Sequence, residues 1–448
     1  MSAFIDNKTS SWTEPEKFLF RLFALYFFVQ ALPLDAHFFS QLFSLAQHNL
    51  YYNDIFQLTH YSPKFFAGAD SLANWGLVLL IALIGAGVWS FIDRSSKEYT
   101  KLYYWIRVIV RYRLALGIIA YGFIKFFPIQ SPWPSLSNLN TNYGDFNRWK
   151  LFSLSLGIVP NYQSFLGLVE IITGLLLLFR KTATIGAFII VIFTGNVFMS
   201  NLAYEGGEYV YSLYLISFAL FLLVFDLQRI IRLLILQKAT SPNGFKPALT
   251  LKWQRYTRLT LKSLIIFFFV IVYGFKTQSG LKKGLTLYPN TKGLPGAAGL
   301  YNVATFRINS TKIPYSKTDP IRWQDVIFEK WNTISIKSNR PVILDTSNTT
   351  LISTDDQERL YEQQGSAGRH YYSYNLDTIT HTLRLQNRNK NYKNESWSLH
   401  YESLAGKGFI LSGLNQNKDS VYAVLNKIDK KYLVKEAAKL GRRRGLTL

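Results

Sequence analysis

The chain contains no cysteine. Disulfide bonding, thiol redox catalysis and thiolate metal ligation by this polypeptide are therefore excluded. No Gly-rich phosphate loop, nucleophile elbow or HExxH sequence is present, so the usual signatures of nucleotide binding, acyl transfer and zinc hydrolysis are missing. His370, His381 and His400 are scattered without ligand spacing, which argues against a metal site. No cleavable leader is expected either. Glu14 and Glu16 precede the first apolar run where a basic region would stand, and no small-residue cleavage site follows. That run is expected to persist as an uncleaved anchor.

What is present divides sharply. The 448 residues have room for two or three domains, and the mean hydropathy of +0.07 averages two unlike parts. Residues 1–275 hold nearly all the long apolar runs, whereas 276–448 read as a water-soluble domain. Aromatics, at 16%, suit interfacial Tyr and Trp belts. The net charge of +23 is concentrated in particular loops and in the C-terminal part. Membrane topology accounts for the loop bases better than nucleic-acid binding does.

Seven runs qualify as membrane spans: 17–34, 74–92, 107–127, 163–179, 184–201, 209–226 and 259–275. Arg21 and Gln30 interrupt the first. The loop after the second carries Arg94, Lys97, Lys101, Arg107, Arg111 and Arg113, and that after the fourth Arg180 and Lys181. The loop after the sixth holds Arg229, Arg232, Lys238, Lys246, Lys252, Arg255, Arg258 and Lys262. Alternate loops are poor in bases, so the positive-inside rule puts the N-terminus in the cytoplasm and the C-terminal domain outside. The long outer loop, 128–162, offers Trp133, Tyr143 and Trp149 as interfacial anchors.

Ionisable groups inside spans are costly and mark candidate sites. Glu170 lies seven residues into the fourth span, ~10 Å deep at 1.5 Å per residue. Lys125 stands three residues before Pro128, where it either pairs with Glu170 or reaches for the interface. Asn196 on the fifth span and Ser212 with Tyr211 on the sixth add polar groups in the same outer layer. Asn196 reads more readily as interhelical glue than as a ligand contact. Glycines 117, 122, 167, 174, 186 and 195 suit close helix packing.

Residues 111–232 resemble the DoxX family of four-helix membrane proteins. The likeness rests on Arg113 opening a helix, Tyr121-Gly122 with Lys125 three residues on, Tyr143-Gly144-Asp145 in a long loop, and Glu170 followed by Gly174 and a leucine run to Arg180; Asn196 stands in the next span. With its extra helices and C-terminal domain, the whole chain is similar to longer DoxX-like proteins of Bacteroidetes. The resemblance implies an antiparallel four-helix bundle and links to membrane-associated or quinone-coupled redox systems, often as an accessory subunit. Lacking cysteine, such a chain would leave redox chemistry to a quinone or a partner.

From about residue 280 the pattern alternates with period two. Strands are expected at 302–308, 332–337, 371–376, 381–386, 396–401, 408–412 and 420–426, with a short helix over 321–331. Turn signals lie at Asn387-Arg388-Asn389, Gly406-Lys407-Gly408 and Asn415-Gln416-Asn417. A small sandwich or partly open barrel follows. The tail bases Arg442, Arg443 and Arg444 suit an anionic surface or plain solvation.

The expected fold is thus an α-helical polytopic membrane protein of about seven spans with a C-terminal β-rich soluble domain. Its parts are a two-helix region, 1–106, a DoxX-like bundle, 107–232, a basic cytoplasmic loop with the seventh span, 233–279, and an extracytoplasmic β domain, 280–448. The expected setting is the bacterial inner membrane, with no metal and no nucleic acid. Three functional readings stand: a scaffold or accessory subunit for a membrane or envelope protein partner; a quinone-binding oxidoreductase using Lys125, Glu170 and Asn196; and a small-molecule transporter, weakened by the absence of an inverted repeat.

Overall fold

The computed structural model describes residues 12–34, 36–45, 49–66, 71–241, 245, 247, 250–346, 353, 355–404 and 408–440. Lys246, Gly406, Lys407, Arg442, Arg443 and Arg444 lie outside the described residues. The chain forms two compact units: Met1–Phe127 with Ser164–Gly280, and Pro128–Gln163 with Leu281–Leu448. The helices are α1 (Glu14–Ala31), α2 (Ala36–Ser44), α3 (Tyr52–Thr59), α4 (Leu72–Ile92), α5 (Thr100–Phe126), α6 (Leu136–Leu139) and α7 (Arg148–Gly157). They continue with α8 (Pro160–Leu177), α9 (Ala183–Ala203), α10 (Tyr209–Ile230), α11 (Lys252–Ile266), α12 (Tyr273–Lys282) and α13 (Leu433–Leu440).

In the helical unit, four helices among the described residues are long and apolar enough to cross a membrane: Leu72–Ile92, Ala183–Ala203, Tyr209–Ile235 and Lys252–Lys282. The expected runs at 17–34, 107–127 and 163–179 fall on α1, α5 and α8, which are helical but interrupted by charge. Arg21 is buried at the end of α4, donating to Tyr99 Oη, Ser90 Oγ and the Asp93 carbonyl at 2.6–2.9 Å. A buried guanidinium needs this many acceptors to offset its lost hydration. Arg113 does not open a helix, because α5 starts at Thr100 and Arg113 lies in its middle. The first turns of α5 bury Tyr103, Ile106 and Val110, a spacing of three and four that extends the amphipathic face past the basic residues.

Glycine sets the helix crossings. A Cβ on Gly122 would stand 2.8 Å from Ile171 Cγ1 and 3.0 Å from the Gly167 carbonyl oxygen, so α5 and α8 touch backbone to backbone. On the other side of α5, Tyr273 of α12 donates to the Ala120 carbonyl at 3.1 Å.

The second unit is built on strands β1 (Gly299–Ile308), β2 (Thr311–Lys312), β3 (Asp325–Phe328), β4 (Thr333–Lys337), β5 (His370–Asp377), β6 (Thr382–Asn387), β7 (Ser396–Ser403), β8 (Gly408–Asn415) and β9 (Ser420–Ile428). All pairings are antiparallel, and β1 pairs with β9 as well as β3. The sheet therefore closes into an eight-stranded barrel, with β2 a short appendage on β1. This corrects the expectation of a sandwich or open barrel. The expected helix over 321–331 is also overturned, since Asp325–Phe328 is β3. Its three apolar residues are buried on both faces, which erases alternation.

The barrel interior is packed with side chains, among them Tyr301, Phe306, Trp323, Phe328, Leu385, Leu399 and Leu425. The outer face of β4 is buried too. Thr333 and Ser335 point away from the core residues Ile334 and Ile336, yet both are 0% exposed. Residues 128–163 supply part of the cover, so this segment belongs to the barrel unit rather than forming a bare loop. Trp149, expected to anchor at an interface, is buried with its ring 6.1 Å from that of Tyr361.

Candidate functional site

Among the buried polar clusters of the described residues, one in each unit stands out as a candidate site. In the helical unit, Lys125 Nζ lies 2.5 Å from Glu170 Oε1, with both side chains buried. The second carboxylate oxygen, Glu170 Oε2, has no hydrogen-bond partner among the described residues. Lys125 also stands 5.7 Å from the Tyr121 ring centre. The Tyr121 hydroxyl in turn donates to Glu208 Oε2 at 2.5 Å, and His60 Nε2 lies 3.3 Å from the same oxygen. The cluster thus runs from Glu170 through Lys125 and Tyr121 to Glu208 and His60.

Each member is placed by its helix. Tyr121 and Lys125 are four residues apart on α5 and share a face. Glu208 is the residue before α10, and His60 follows α3. The His60 ring packs 4.0 Å from the Tyr211 ring. Arg113 borders the group: it donates to the carbonyls of Thr59 at 2.8 Å and of Tyr61, and to the Tyr211 hydroxyl at 3.5 Å. A cation on the last carbonyls of a helix satisfies groups that α3 cannot pair internally.

Other expected site residues are placed elsewhere. Asn196 is on an exposed face of α9, outside this cluster. Ser212 turns back on its own helix and donates to the Glu208 carbonyl at 2.8 Å. Gly122 and Gly174 are packing positions, the latter against Ile119 and Ile118. Arg180 is exposed and donates to the Phe245 carbonyl at 2.8 Å. Tyr143, Gly144 and Asp145 form a 3-10 turn in the barrel unit, where the Asp145 carbonyl accepts from Ala367 N–H at 2.8 Å.

The second cluster escaped the sequence reading. The Glu329 carboxylate accepts from the Ser137 N–H at 2.7 Å, the Ser137 hydroxyl at 2.6 Å and the Leu136 N–H at 3.2 Å. Ser137 Oγ also lies 2.7 Å from Ser335 Oγ on β4. Nearby, Glu362 accepts from Arg388 at 2.7 Å and from the Trp331 indole at 2.9 Å. Lys150 is 0% exposed, donates to the Tyr361 carbonyl and sits 3.5 Å from the Tyr361 ring centre. Arg369 binds Asp325 at 2.5 Å and Ser335 Oγ at 2.8 Å.

Burial decides the electrostatics here. Desolvation, opposed by Arg388 and reinforced by Glu329, pushes the Glu362 carboxyl up to about 7. Desolvation also raises Glu329, despite its hydrogen bonds from Ser137. The same cause holds the Lys150 amine well below the usual lysine range. The hydrogen bonds of this network knit the 128–163 segment to the outer face of β4, while Arg369 Nη1 and Arg388 Nε are buried without a partner among the described residues.

No group of three or more His, Asp or Glu among the described residues is arranged to hold a metal ion. Comparison of the chain with protein families, curated proteins and solved structures finds no match.

Proposed function

We propose that the chain is a multi-pass membrane protein, DoxX-like over residues 107–232, that acts as a scaffold or accessory subunit of a membrane-associated complex and holds a β-barrel outside the bacterial inner membrane. The observation carrying this reading is the composition of the barrel unit, built from Pro128–Gln163 and Leu281–Leu448. Two segments of one folded unit must emerge on the same side of a bilayer. The chain between them must then cross an even number of times.

Three apolar helices lie in that interval: Ala183–Ala203, Tyr209–Ile235 and Lys252–Lys282. Parity demands a fourth, and α8 is the helix available. Its Glu170 lowers its hydropathy, and the pairing with Lys125 offsets the cost of burying that charge. With α1, α4 and α5 before it, the count returns to seven spans, the N-terminus in the cytoplasm. The basic loops between these helices support the same orientation. The polar network in the barrel ties residues 128–163 to β4 through Ser137, Glu329 and Ser335, which supports an organising role for this unit.

The cysteine-free sequence permits a direct topology test. Single cysteines at Tyr143 and Ile379, exposed by 78% and 90%, should both react with an impermeant maleimide on intact cells, and one at Lys238 should not. Labelling of Tyr143 and Ile379 from opposite sides would sink the topology. For the scaffold role, mild solubilisation should retain a partner in fixed stoichiometry. A solitary chain carrying quinone would overturn it.

One observation favours that second reading. Glu170 Oε2 is buried without a hydrogen-bond partner among the described residues, beside the Lys125–Tyr121–Glu208–His60 chain. A quinone-binding oxidoreductase could use such a group to exchange protons with a bound quinone. Glu170→Gln in purified protein that retains its fold separates the two: saturable quinone binding by the wild type falls in the variant on this reading, and on the scaffold one neither protein binds quinone saturably.

A further inference from the structure

At one end of the barrel lies a cavity of about 580 Å³, within the ~300–1,000 Å³ common for small-molecule sites. Strand alternation decides which side chains face it. On β9 the residues Val421, Ala423 and Leu425 point into the core, so Lys427 continues that inward register at the mouth. On β7 Leu399 is in the core and Tyr401 packs against it, so Ser403 follows on the same register. Glu402, which also borders the cavity, falls on the outward register between them.

The floor is apolar and aromatic: Tyr301 and Phe409 are 1% and 8% exposed, with ring centres 5.6 Å apart. Lys427 stands above it, 5.8 Å from the Tyr301 ring centre, its ammonium making a long 3.3 Å bond to the Gly296 carbonyl. His381, in the turn before β6, borders the opposite side with its ring 5.3 Å from that of Tyr401. The inward-register polar groups are therefore the Lys427 ammonium and the hydroxyls of Tyr401 and Ser403, all able to donate to an anion, whereas His400 and Glu402 border the cavity from the outward register of β7. Below them the interior is filled by core side chains, so the cavity is a shallow mouth and not a channel.

We propose that this mouth binds a small organic carboxylate with an apolar body. Its carboxylate sits on the Lys427 ammonium, with hydroxyls of Tyr401 and Ser403 on the same register. Its body lies against Tyr301 and Phe409. Charge-assisted hydrogen bonding supplies the preference for an anion, and removing the cation removes it.

The test uses the full chain in lipid nanodiscs, with 4-(trifluoromethyl)benzoate as the probe followed by fluorine NMR and empty nanodiscs as the blank. Saturable line broadening is expected with the wild-type chain. Lys427→Met, at an exposed position, should weaken binding about tenfold or more, and the neutral 4-(trifluoromethyl)benzamide should bind more weakly by a similar factor. Glu402→Gln should leave the affinity within about twofold, since its side chain is on the outer register. Broadening no greater than the blank, equal binding of the amide, or an unchanged affinity in Lys427→Met would each overturn the proposal.

Discussion

Ser137 and Glu329 are 192 residues apart in sequence, and their side chains meet at 2.6 Å in a fully buried hydrogen bond. Through this contact and two backbone N–H bonds, one carboxylate holds the start of α6 against the turn after β3. Buried hydrogen bonds to a charged group are each worth ~1.5–3 kcal/mol. Glu329→Ala should therefore release residues 128–163 from the barrel while β7–β9 stay protected. Hydrogen exchange read by mass spectrometry would detect this, and uniform protection across 128–163 in the variant would refute it.

The Lys125–Glu170 pair should behave as a unit. Removing either partner alone strands a buried charge, at a cost of about 3–5 kcal/mol, whereas replacing both with apolar residues is often close to neutral. Lys125→Met and Glu170→Leu should each lower the thermal midpoint in detergent, and the double variant should recover most of the loss. Additive losses would show that the two side chains are energetically independent.

Helix contact predicts a contrast between glycines. Gly122→Val places side-chain atoms against Ile171 and the Gly167 carbonyl and should cost ~1–3 kcal/mol or more. Gly87→Val has nothing within 4 Å of its Cβ and should be tolerated. Yield of monodisperse protein after solubilisation measures the difference.

Glu362 sets a pH dependence of defined sign. Its folded value, about 7, is raised from 4.5. Its stabilising contribution is complete below pH 4.5 and is lost as pH climbs through 7. His370 acts in the opposite sense, because burial and Arg340 lower it to about 4, so its contribution is lost as pH falls from 6.5. The clean measurement is the wild-type stability relative to Glu362→Gln, from exchange of β3 and β4 corrected for intrinsic rates. That difference should shift against the wild type between pH 5 and pH 8.

Local patterns carried much of the architecture. Seven of the eight barrel strands alternate clearly enough to be read from sequence, and β3 was lost because Val326, Ile327 and Phe328 are all buried. Barrel closure was not legible, since β1 meets β9 only through pairs such as Ile308 with Val421, far apart in the chain. Lys125 and Glu170 stood out as charges within apolar runs. His60 and Glu208 did not, because they lie at helix ends where polar residues are ordinary. Asn196 was misplaced for a related reason: α9 is apolar on every side, so nothing in its sequence says which face turns inward. The role of residues 128–163 was hidden in partners such as Tyr361 and Glu329, which no local window contains.

That separation imposes an order on biosynthesis. At ~5–20 residues per second, roughly 10–40 s pass between synthesis of Ser137 and of Glu329. During this interval Ser137 and Lys150 exist without the acceptors that later bury them. The segment must wait unfolded, or in the keeping of a chaperone, while α8 to α12 are made. Ribosome pausing within that stretch would lengthen the vulnerable period and leave the barrel's own strands untouched.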